Sequence, residues 1–129
     1  AIDYSAVMQA LKRVEGYKTH FLIPVKGDKL LPVSVDMILF FYIADGNVKA
    51  VMTDGKEYFF TQTLDELADS LDPALFFRIN RQYLISRKAV QDIDLWFNGR
   101  LAVNLIVPTL ERILVSKARV PDFKTWFTS

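Results

Sequence analysis

The sequence predicts a mainly β domain, built from several antiparallel sheets, with one short well-defined helix and short helical pieces at its ends. Three observations carry this. Short apolar stretches alternate with turn residues at close, regular spacing along most of the chain. Asp54-Gly55 and Asn98-Gly99 are hairpin dipeptides flanked by strand-like runs. A single capping box, Thr63 with Glu66, opens the one strongly helical pattern. Strands at such spacing point to a sandwich or barrel-like arrangement.

In chain order, Ile2–Val14 reads as an amphipathic helix. Val7, Ala10, Leu11 and Val14 share a face, and Gly16 ends it. Residues 1–16 are expected to be an N-terminal linker helix, and residues 17–129 the domain proper. Phe21–Val25 and Leu30–Val33 flank the turn Lys26-Gly27-Asp28-Lys29. Met37–Ile43 is a strand, followed by the turn Asp45-Gly46-Asn47. Val48–Thr53 and Lys56–Phe60 flank Asp54-Gly55, which predicts a type I′ turn. In the capped helix Leu64, Leu67, Ala68 and Leu71 form the buried stripe, and Asp72-Pro73 ends it. Strands follow at Tyr83–Ser86, Ala89–Ile93, Leu95–Phe97, Arg100–Leu105 and Ile113–Val115. Val120–Phe127 closes the chain as a helical turn, with Phe123, Trp126 and Phe127 inward.

With 129 residues, ten Phe, two Trp and five Tyr, the chain can pack one ordinary core. No apolar run reaches the roughly 18 residues of a membrane helix. No cysteine is present, which excludes disulfides and thiol chemistry. A soluble, cytoplasmic domain is expected, and an opening Ala in place of Met suggests a piece of something longer.

Net charge is only +1, yet its distribution is uneven. Residues 1–77 hold seven Lys or Arg against eleven Asp or Glu; residues 78–129 hold nine against four. That suits one face meeting a polyanion, and equally suits scattered surface charge. The run Phe76-Phe77-Arg78-Ile79-Asn80-Arg81-Gln82-Tyr83-Leu84-Ile85-Ser86 interleaves apolar and polar residues. Phe77, Ile79, Tyr83 and Ile85 can face a core, leaving Arg78, Asn80, Arg81 and Gln82 at a turn. Arg matches guanine O6 and N7, and Asn or Gln matches adenine N6 and N7. The same residues also suit a structural knot in which Asn80 bonds backbone. In Ser116-Lys117-Ala118-Arg119, Ser116 can cap the terminal helical turn and help seat a phosphate, or the segment is an ordinary capped helix with solvated Lys117 and Arg119.

Catalysis has little to build on. His20 is the only histidine and sits beside Phe21, where a structural role fits better than a general base. There is no G-x-S-x-G, no phosphate loop and no metal-ligand spacing, so neither catalytic residues, metal nor cofactor is expected. Phe40, Phe41 and Tyr42 can stack on bases, but a sheet core uses them more economically.

From Phe21 to Phe127 the chain resembles the LytTR family of bacterial DNA-binding domains. The resemblance rests on Asp36–Phe41, on Thr63–Leu67, on Phe76–Ile85 against the family run F-x-R-x-H-R-S-Y-L-V, and on Val115–Val120 against the tail V-S-R-R-Y. It implies an elongated set of antiparallel sheets that lays loops into successive major grooves of promoter repeats, often as two copies. It also implies an output domain behind a receiver domain, which would precede residue 1. The implied contact loops are Asp45-Gly46-Asn47, Asn80-Arg81-Gln82 and Ser116–Arg119. Two departures stand out: Asn80 replaces the family's His, and Ala118 replaces a second basic residue. Asn47, Arg81, Lys117 and Arg119 are the expected base or groove contacts, with Asn80 in the same turn as Arg81. Arg78, Gln82, Lys88 and Arg100 are the expected phosphate contacts. The alternative is a protein-interaction module that uses the Asp54-Gly55 hairpin or an exposed strand edge and binds no DNA.

Overall fold

The structure is a computed structural model and describes residues 16–129. The expected helix at Ile2–Val14 lies outside the described residues. Among the described residues, ten strands form three antiparallel sheets. The hairpin of β1 (His20–Val25) and β2 (Lys29–Ser34) stands as one. The largest contains β3 (Ile38–Ala44), β4 (Asn47–Met52), β5 (Glu57–Phe60), β6 (Phe76–Arg78) and β7 (Tyr83–Ser86), in the order β5-β4-β3-β7-β6. The third, ordered β10-β9-β8, contains β8 (Val90–Leu95), β9 (Leu101–Leu105) and β10 (Ile113–Val115). Helix α1 spans Leu64–Ser70 and α2 spans Val120–Thr128. No helix among the described residues is long and apolar enough to cross a membrane.

The five-stranded sheet is buried on both faces, which explains the unbroken apolar run of β3. On one face Phe40, Tyr42, Tyr83 and Ile85 join Val103, Ile113, Phe123 and Trp126. On the other Ile38, Phe41, Ala50 and Leu84 join Phe21, Val33, Leu64 and Leu67. The register shifts between Ile38 and Phe40, so the adjacent Leu39 and Phe40 enter the same face. The central sheet thus sits between two covering layers rather than curling into a barrel. Phe41 is fully buried, and its truncation to Ala would cost about 3–5 kcal/mol.

The capping box forms: Glu66 N–H donates to Thr63 Oγ1 at 3.1 Å, and Thr63 N–H to Glu66 Oε1 at 3.4 Å. The terminal element is a full helix. Pro121 lies in its first turn, where its missing N–H costs nothing, and Trp126 stacks on Phe77 at 5.1 Å.

Three local expectations are corrected. Asp54-Gly55 is not a type I′ turn, because only Gly55 has positive φ; Gly55 N–H bonds Met52 O, and Met52 N–H bonds Lys56 O. Asp45-Gly46, between Ala44 and Asn47, is a two-residue turn with both φ positive. Leu95–Phe97 is not a separate strand: β8 runs on to Leu95, and Phe97–Gly99 is a turn in which Asn98 and Gly99 both have positive φ, closed by Arg100 N–H to Phe97 O at 3.3 Å. Ser116 occupies the cap position of a 3-10 turn at Lys117–Arg119, but its side chain makes no capping bond.

Candidate nucleic-acid interface

β6 and β7 pair from Phe76 with Ser86 to Arg78 with Leu84, and the chain reverses over Ile79–Gln82. Asn80 shapes the reversal. Its Oδ1 accepts from the N–H groups of Gln82 (2.9 Å) and Tyr83 (3.0 Å), and its Nδ2 donates to Leu114 O at 3.3 Å. Arg78 braces the same turn from below. Nε donates to Asn80 O and Nη2 to Arg81 O, both at 2.7 Å, while Nη1 meets Asp65 Oδ1 of α1 at 2.5 Å. With its fork spent on these partners, Arg78 holds the loop rather than reaching out of it. Arg81 and Gln82 are left exposed. Among the described residues, the Arg81 guanidinium has no partner.

The tail arrives beside this turn. The N–H groups of Arg119 and Val120 both donate to Ser116 O, closing the 3-10 turn. Arg119 lies over the Phe77 ring at 4.9 Å and directs Nη1 to Ile79 O at 3.5 Å, so it is half braced and half open. The Lys117 stem lies across Gly99, where an added Cβ would meet its Cδ at 3.1 Å. Gly99 also has φ +73, a conformation that favours glycine, and a side chain there would push the Lys117 stem aside. Arg100, next to it, donates through Nε to Phe97 O at 3.1 Å. Four arginines (78, 81, 100 and 119) and one acid, Asp65, line an open concavity of about 810 Å³.

The Asp45–Asn47 turn reaches the same end of the central sheet, since Ile43 N–H donates to Gln82 O at 3.0 Å. Asn47 is exposed and its Nδ2 donates to Asp45 O at 3.3 Å. Beneath these turns, the Tyr42 hydroxyl donates to Glu57 Oε1 at 2.8 Å. Burial, and then that carboxylate, push Tyr42 up to about 12. Burial also raises Tyr83, helped by the charge of Glu111.

The structure therefore brings Arg78, Asn80, Arg81, Gln82, Arg100, Lys117 and Arg119 together and sets Asn47 close by. It does not bring Lys88 there: Lys88 follows the far end of β7 and lines another cavity. His20 is exposed, with Thr19 Oγ1 at 3.0 Å from its Nδ1, and has no place in the cluster. Sequence reasoning missed Asp65 as the partner of Arg78, because its position at the start of α1 already accounts for an acid. It also missed Phe77 as the platform for Arg119, a contact that no local spacing encodes.

Residues 28–128 match the LytTr DNA-binding domain family. The chain belongs to this family. LytTR domains are DNA-binding domains and not an enzyme family, and this one is of the kind found in response-regulator-type transcription regulators. It is 26% identical over 102 residues to the sensory transduction protein LytT of Enterococcus faecalis, covering 79% of the chain and 41% of that protein. It is 30% identical over 77 residues to the transcriptional regulatory protein LytR of Staphylococcus aureus strain MW2, covering 60% of the chain and 30% of that protein. The chain thus spans well under half the length of these curated relatives. In structure it is similar to the LytTr DNA-binding domain of a Bacillus cereus protein described as a methyl-accepting/DNA response regulator. The TM-score is 0.71 at 15% identity, covering 87% of this chain and 99% of that one.

Proposed function

We propose that this LytTR domain reads double-stranded DNA sequence-specifically, with the Asn80–Gln82 turn and the Ser116–Arg119 segment entering the major groove. The supporting observation is the meeting of these two segments on one concavity that holds four arginines and a single acid. Arg81 and Lys117 are exposed and free to reach base edges, and Arg119 completes the face from its Phe77 platform. Gln82 and Arg100 lie at its border and suit phosphate. Arg78 and Asn80 act as positioning residues. Asn47 approaches from the neighbouring turn as a further base contact. Phosphate neutralisation gives affinity that falls with salt, and base contacts give the sequence preference.

The wider reading follows the same line. Residues 1–16 tether the domain to a receiver domain. Two copies bind promoter repeats in the cytoplasm as the output of a two-component system. A protein contact has one observation in its favour. β8 is an edge strand, and Leu95 and the neighbouring Phe97 are 88% and 71% exposed.

The test is retention of random duplex DNA by the domain at two salt concentrations, with the retained pool sequenced. An enriched motif in spaced repeats, weakening with salt, is the expected result. No retention at low salt would overturn the reading and bring the protein contact forward.

A further inference from the structure

The turn between β8 and β9 stands beside the basic concavity and carries an aromatic ring that the core does not use. Phe97 is 71% exposed. Its backbone is held on both sides. Trp96 N–H donates to Arg100 O at 3.0 Å, and the Phe97 carbonyl accepts from both Arg100 N–H (3.3 Å) and Arg100 Nε (3.1 Å). The ring is also backed. Trp96 meets it edge-on at 5.3 Å, and the Arg112 guanidinium lies over Trp96 at 4.2 Å. Phe97 is thus an apolar side chain presented to solvent from a braced turn. Its surroundings are cationic. Arg100 lines the concavity, the Lys117 stem lies across Gly99, and Arg112 covers the neighbouring indole. The two acids of β8, Asp92 and Asp94, both accept from Asn104 farther along the strand pair. An apolar ring among three cations suits a polyanion that has flat apolar surface between its charges, and the base steps of duplex DNA are such a surface.

We propose that Phe97 is an apolar wedge that enters the minor groove and parts one base step, next to the major groove that Lys117 reaches. The wedge rests on the DNA-binding reading above and adds to it a contact of a different kind. Arg100 links the two places: it bonds the Phe97 carbonyl and lines the concavity, so it is set for the phosphates between the grooves. Apolar side chains wedged into the minor groove unstack a step at a cost that the added contact offsets. A protein partner suits this corner less well. Pairing on the open edge of β8 would run past Ile93 and Leu95 and both acids, whereas Phe97 stands beyond Leu95, the last paired residue of the strand.

The test uses the whole chain and one selected duplex with 2-aminopurine placed at successive positions, since its fluorescence rises when the base loses stacking. Binding of the parent chain should raise the signal at one step. Phe97→Ala, at an exposed position that leaves the fold intact, should abolish the rise and weaken binding about tenfold. The salt dependence should stay as in the parent, because an apolar contact releases no counterion. Phe97→Leu should keep the rise, since an aliphatic side chain also serves as a wedge. Leu95→Ala, at a still more exposed apolar position nearby, should change neither signal nor affinity. Bound duplex with no rise, a rise that persists in Phe97→Ala, or an equal loss in Leu95→Ala would overturn the wedge while DNA binding stands. Loss of self-association in Phe97→Ala at unchanged DNA affinity would give the ring to a protein contact instead. A parent chain that holds no duplex would remove the DNA-binding reading and the wedge together.

Discussion

Two turns stand side by side at one end of the central sheet, and they are built differently. Asp45-Gly46 is the shortest reversal a hairpin allows, with both φ positive and one local side-chain bond from Asn47. The Ile79–Gln82 turn is held by three side-chain groups of Asn80 and Arg78 that bond its backbone, and by Asp65 of α1 and Leu114 of β10 beyond it. The first turn needs only glycine and its hairpin. The second needs tertiary partners, and those partners consume residues that otherwise look suited to bases. What projects from it is a single arginine, Arg81, on a fixed platform. Pre-organised placement of this kind lets one side chain discriminate without ordering its loop on binding.

The largest effect that sharpens this contrast is expected at Asn80. Asn80→Ala leaves two N–H groups and the Leu114 carbonyl without their partner, and should cost about 1–3 kcal/mol of stability in urea unfolding. DNA affinity should fall with it. Equal stability to the parent chain would mean that the turn holds itself, as the Asp45-Gly46 turn does. Arg81→Ala should behave oppositely. Stability should stay within about 0.5 kcal/mol, while binding to a selected site weakens by about 1–3 kcal/mol and one base position relaxes. A uniform loss on all sequences would move Arg81 to the phosphate class. Asn47→Ala should be milder still, below about 1 kcal/mol in binding, because its turn is independent of the basic concavity.

The smallest effect is a titration. Tyr42 lies beneath both turns with its neutral hydroxyl favoured by burial and by Glu57, so it ionises near 12 when folded and near 10.0 when unfolded. Its contribution is therefore fully present below pH 10.0 and is lost as pH rises towards about 12. Stability measured across that window should decline in the parent and decline less in Tyr42→Phe. Matching curves would show that neither burial nor Glu57 raises the hydroxyl in the folded chain.

Much of the fold was legible because its signals are local. Thr63 and Glu66 fix the start of α1 within four residues, and the apolar run Met37–Ile43 announces the strand β3. Asp54-Gly55 misled because the dipeptide is shared by two turn geometries, and the Met52–Lys56 pairing, not the dipeptide, selects between them. β8 was read as two pieces, Ala89–Ile93 and Leu95–Phe97. In the structure Asn104 Nδ2 donates to both Asp92 and Asp94, at 2.6 and 2.9 Å, and keeps the strand whole. In the site, residue types revealed the basic segments but not their division of labour. Arg78 and Arg81 are three positions apart and chemically identical; only Asp65 and the turn carbonyls make one a brace and leave the other free. Lys88 was grouped with them by sequence proximity, while the length of β7 carries it to the other end of the sheet.

The central claim is that DNA lies on the Arg81–Lys117 face. Its most direct test is fluorescence anisotropy with one selected duplex and two double variants, Arg81→Ala with Lys117→Ala, and Arg87→Ala with Lys88→Ala. The first pair should weaken binding by about 2–6 kcal/mol if the two contacts add, and should flatten the salt dependence if either contact is to phosphate. The second pair should bind as the parent does. Equal losses in both, or a loss confined to the second, would contradict the claim.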